Sequence, residues 1–105
     1  MKTRIYRSDE NNLRNNYKVY QCGYCELQYL LKFYEPIYYN AGTYGWNYDV
    51  YKINDIYIVT GCRPMKKCVE INHDLARKYN EKARKSDNID KLIKEFFKEL
   101  KGDEK

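Results

Sequence analysis

The sequence predicts a single α+β domain over residues 1–105: a small antiparallel sheet with a central β-hairpin, one helix in the N-terminal half and two C-terminal helices. Three observations lead there. Residues 46–53 and 56–62 are β-rich runs on either side of Asn54-Asp55, two residues that tolerate positive φ and suit a tight hairpin turn. Leu27, Leu30, Leu31 and Tyr34 recur at i, i+3, i+4 and i+7, which is one helical face. The last third carries two further apolar stripes, separated by Ser86-Asp87-Asn88.

In chain order, residues 3–8 read as a short strand and 8–16, rich in Asp, Glu and Asn, as a polar turn or loop. Residues 17–21 read as a second strand, and a helix follows over 24–33. It ends at Glu35-Pro36, because the residue before proline avoids helical ψ. Residues 37–39 form a short strand, and 40–45 a loop with two glycines. Ile71, Leu75, Tyr79 and Ala83 mark the first C-terminal helix. Ile89, Leu92, Ile93, Phe96, Phe97 and Leu100 mark the second, with Lys91, Lys94, Lys98 and Glu99 outside the stripe. All helices are expected on one face of the sheet.

Composition narrows the function classes. With 43 % hydrophobic and 33 % charged residues, the chain is neither fibrous nor wholly disordered. No apolar run approaches the roughly 18 residues of a membrane span, and residues 1–9 contain no signal-peptide apolar region. The expectation is a soluble cytoplasmic protein with no membrane partner. The net charge of +5 is spread along the chain; it permits a phosphate-bearing partner without requiring one. Of 13 tyrosines, 12 precede Gly61. So many hydroxyls need partners, so some rings are expected at a surface or in a groove. An AT-rich genome also favours this Lys, Asn, Ile and Tyr usage.

The two-residue turn sets a register in which paired residue numbers sum to 109. Ile53/Ile56, Tyr51/Ile58 and Asp49/Thr60 share one face, expected against the helices. Lys52/Tyr57, Val50/Val59, Tyr48/Gly61 and Trp46/Arg63 share the other. Trp46, Tyr48 and Arg63 then cluster at the open end, with Gly61 leaving space over the Tyr48 ring. Rings and a guanidinium beside a gap suit a base and a phosphate. The expected ligand-binding residues are Tyr44, Trp46, Tyr48, Tyr57 and Arg63. A purely structural reading makes Trp46 a core residue and Gly61 a bulge, and Pro64 stops the strand.

Cys22-Gly23-Tyr24-Cys25 is a CxxC placed between a strand and a helix, the setting that lowers a thiol pKa in thiol oxidoreductases. Its placement resembles the thioredoxin and glutaredoxin pattern. However, there is no room for a second helix before the hairpin, and no proline precedes the hairpin's first strand. Cys22, Cys25, Cys62 and Cys68, with His73 to spare, also give a zinc-ligand count, though with an irregular second spacing. The preferred reading is of plain thiols in a reducing cytoplasm, with no metal and no cofactor. His73 is expected at the surface without a partner. One histidine, no nucleophile elbow and no phosphate-binding glycine loop argue against an enzyme. Arg77, Lys78, Lys82, Arg84 and Lys85 interleave with Asp74 and Glu81 as a solvated helix face.

The segment Tyr44-Gly45-Trp46-Asn47-Tyr48-Asp49-Val50-Tyr51, followed by Ile58-Val59-Thr60-Gly61 and Arg63-Pro64, resembles a group of small proteins of unassigned chemistry from low-GC Gram-positive bacteria, their plasmids and phages. The likeness runs from about Gly23 to the last helix, and YGWN with TGxRP is its most specific part. That setting implies a counter-defence inhibitor of anti-CRISPR type, acting in a bacterial host cell on a defence protein or ribonucleoprotein complex, or on its RNA. A nucleotide-signal sponge and a CxxC oxidoreductase are the alternatives. The resemblance implies no catalytic residue.

Overall fold

The computed structural model describes residues 3–23, 25–41, 47–61 and 67–102. The fold is α+β, built on a mixed six-stranded sheet. The elements follow as β1 (Thr3–Arg4), α1 (Arg7–Asn16), β2 (Val19–Cys22), α2 (Gln28–Leu31), β3 (Tyr38–Ala41), β4 (Asn47–Ile53), β5 (Ile56–Gly61), β6 (Val69–Glu70), α3 (His73–Lys85) and α4 (Ile89–Gly102). The sheet order is β1-β3-β4-β5-β2-β6. The expected all-antiparallel sheet is not what forms. Only β4 runs against its neighbours β3 and β5, while β1 pairs parallel with β3, and β2 parallel with β5 and β6. Parallel pairing needs crossover connections, and α1 and α2 lie on those connections.

The hairpin forms as its sequence predicts. Six described pairs, from Tyr48↔Gly61 to Ile53↔Ile56, have numbers summing to 109. Asn54 takes the turn's left-handed conformation, at φ 56°, which asparagine tolerates better than most residues. The face bearing Ile53, Ile56 and Ile58 packs against α2, α3 and α4 through Leu30, Leu31, Tyr79, Ile93 and Phe96.

The second face is also covered, by α1. Residues 8–16, expected as a loop, are helical because tertiary cover outweighs a weak local signal. Leu13 is the helix's only buried residue, and it joins a buried cluster with Ile5, Val19, Tyr48, Val50, Tyr57 and Val59. Asp9 caps the start by accepting the Tyr6 N–H at 3.0 Å. Asp9 and Glu10 in the first turn and Arg14 in the last complement the helix dipole. The sheet is therefore the middle of three layers, and all six residues of β5 are buried. Two-sided burial explains why that strand reads as a nearly continuous apolar run. The helix expected over 24–33 is shorter than its spacing implies, with α2 confined to four residues.

Candidate functional site

Of the residues expected at the hairpin's open end, Tyr44, Trp46 and Arg63 lie outside the described residues. Tyr48 and Tyr57 are described, and both are buried beneath α1, at 6 % and 8 % exposure. The Tyr48 hydroxyl donates to the Glu10 carboxylate, and burial followed by that hydrogen bond raises its pKa. The ring of Tyr57 meets Tyr17 at 4.9 Å between centroids, and the Lys52 ammonium lies 5.9 Å from it. At Gly61 itself there is no room for a side chain. A Cβ at Gly61 would lie 2.3 Å from the Asn47 carbonyl oxygen and 2.7 Å from the Tyr48 Cα. The space belongs to the backbone of the facing strand.

The cysteines separate by sheet face. Cys22 packs in the α2–α4 core, whereas Cys68 packs against the α1 side. Among the described residues, no three His, Cys, Asp or Glu side chains come together as a metal site would need. Cys62 lies outside the described residues. Nor does a helix open directly at the CxxC, since α2 starts only at Gln28. Burial, then the nearby Glu26 carboxylate, push the Cys22 thiol up to about 12, and burial pushes Cys68 up to about 11. These groups stay protonated near neutrality, the opposite of an activated nucleophile. Cys25 is exposed and Cys22 buried. Iodoacetamide followed by peptide mass mapping is therefore expected to label Cys25 and spare Cys22 in the native protein. Equal labelling would contradict this packing.

His73 is exposed but not unpartnered, contrary to expectation. Its Nδ1 lies 2.8 Å from Glu26 Oε2, and its Nε2 3.4 Å from Glu70 Oε1. Glu26 also accepts the Gly23 N–H at 3.0 Å, tying the β2 exit to the α3 start. The Glu26 hydrogen bond and charge raise the His73 pKa. A raised folded-state pKa contributes stability that is complete below the unfolded value of about 6.5, and lost as pH rises through the folded value. NMR titration of the single histidine should give a midpoint above about 6.5. Glu26→Gln should lower it. A wild-type midpoint below that value would rule out the pair.

A row of lysines lines one side of α4, a helix that also carries Asp90, Glu95 and Glu99. Its buried side holds Leu92, Ile93, Phe96, Phe97 and Leu100. The opposite side holds Lys91, Lys94, Lys98 and Lys101 at i, i+3, i+7 and i+10, all exposed, a row about 15 Å long at 1.5 Å per residue. Among the described residues none of the four has a carboxylate within ion-pair distance. On α3, Lys78 pairs with Glu99 at 3.2 Å, and Arg84 and Lys85 share Glu81 at 3.4 and 3.7 Å, while Arg77 and Lys82 are exposed without an ion pair among the described residues. A groove of about 360 Å³ runs between the hairpin turn and α4, lined by Asn54, Asp55, Ile56, Lys94, Phe97, Lys98 and Lys101. The arrangement offers cations along an edge with an apolar floor. The sequence shows the lysines outside the apolar stripe, but not that they lack partners.

In comparisons with known proteins, no family model, no curated protein and no solved structure matches this chain.

Proposed function

We propose that this is a small non-enzymatic binding protein that engages nucleic acid through the lysine face of α4. In the counter-defence setting implied by the resemblance, its target would be a nucleic-acid-handling complex or the RNA that complex carries. One observation carries the reading: four exposed lysines on successive turns of one helix, unpaired among the described residues. Unpaired ammonium groups in a row gain by displacing counterions from a phosphate backbone. Protonated thiols at Cys22 and Cys68 support the non-enzymatic part. Among the described residues no helix is long and apolar enough to cross a membrane.

The test is fluorescence anisotropy with a labelled RNA of about 12 nucleotides. Saturable binding that weakens in Lys94→Glu/Lys98→Glu is expected. Absence of wild-type binding at low salt, or co-sedimentation with phosphatidylserine vesicles while RNA stays free, would sink the proposal.

A further inference from the structure

We propose that the junction of α2 and α3 carries a base-stacking platform, Phe33 with Tyr29 flanked by Lys32 and Arg84, and that the nucleic acid engaged is therefore single-stranded. The inference rests on the α4 reading and deepens it by naming the substrate class.

Phe33 is 51 % exposed, an apolar ring left open just past the end of α2. It is not isolated. The Lys32 ammonium lies 5.3 Å from its centroid and 5.7 Å from that of Tyr29. The Arg84 guanidinium sits 5.9 Å from the Tyr29 centroid, while also pairing with Glu81. Tyr29 is held in place because its N–H donates to Asn80 Oδ1 at 2.8 Å, fastening α2 to α3. Two rings and two cations on a fixed backbone form the combination that accepts a base on its π-face and the adjoining phosphate on a cation. A base can offer that face only when unstacked from its neighbours, which a duplex prevents.

The platform adjoins the lysine row. Arg84 stands at the end of α3 and Lys91 in the first turns of α4, joined by the short connection 86–88. Tyr34, next to Phe33, is close enough to Asp90 for that carboxylate, after burial, to raise its pKa. A strand stacked at Phe33 can thus pass its backbone to Lys91 and onward along α4.

The experiment compares labelled single-stranded RNA of about 12 nucleotides with a duplex of the same sequence, against wild type, Phe33→Ala, Phe33→Trp and Lys94→Glu/Lys98→Glu. Phe33 is exposed, so its variants are expected to fold, which circular dichroism checks. Wild type should prefer the single strand. Phe33→Ala should lose about 5- to 150-fold in single-strand affinity, the worth of one stacked base, with unchanged salt dependence. Phe33→Trp should restore binding. Equal wild-type affinity for strand and duplex, or an unaffected Phe33→Ala beside a weakened α4 variant, would overturn the platform and leave the α4 reading standing. No wild-type binding to either RNA would overturn both.

Discussion

Phe96→Ala is expected to cost about 3–5 kcal/mol, the range for emptying a well-packed aromatic site. Phe96 is fully buried between α4 and the sheet. Its ring meets Tyr79 at 5.1 Å and Phe97 at 5.8 Å between centroids, both tilted. The substitution removes the transfer energy of the ring and leaves a cavity that three packed elements cannot close. Domains of this size hold roughly 5–15 kcal/mol in total, so the variant should be marginal. Urea denaturation reads the effect as a lower midpoint with an unchanged slope. Phe96→Leu, which refills most of the volume, should recover much of the loss. A cost below about 1 kcal/mol would mean that α4 does not pack on this face.

Gly61→Ala is the second large effect, expected at roughly 3 kcal/mol or more. Its Cβ would collide with backbone atoms of Asn47 and Tyr48, and φ at this residue is +155°. Backbone in a paired strand cannot swing aside as a side-chain tip does, so the end of the β4–β5 ladder must shift. Amide exchange should rise at Tyr48 and Asp49 before it rises at Ile53, far along the hairpin. A neutral Gly61→Ala would restore the idea of open space over Tyr48.

The parts of the fold legible in sequence are those where local rules suffice. A two-residue turn determines every described pair of the hairpin, and the α4 stripe shows its buried side in a dense apolar spacing. α1 was hidden because one leucine in RSDENNLRNN makes no periodicity. Its trace lies elsewhere, in a strand apolar on both faces: Tyr57 and Val59 need cover as much as Ile56 and Ile58 do. The parallel placement of β2 and β6 depends on crossovers that no local pattern encodes. Of the site, Lys91, Lys94 and Lys98 are visible in sequence as residues outside the α4 apolar stripe, but their lack of partners is not, because pairing is decided by which carboxylates reach them. Tyr29 and Arg84, 55 positions apart in sequence, meet only through the docking of α2 on α3.

The salt dependence of RNA affinity tests the α4 interface most directly. Four lysine–phosphate contacts on a single strand predict a log–log slope of about −3 between about 50 and 200 mM salt. Lys94→Glu/Lys98→Glu, at exposed positions that leave the core intact, should bring it to about −1.5 or shallower. That result would place the phosphates on α4. A wild-type slope near zero, or a slope unchanged by the double substitution, would contradict it.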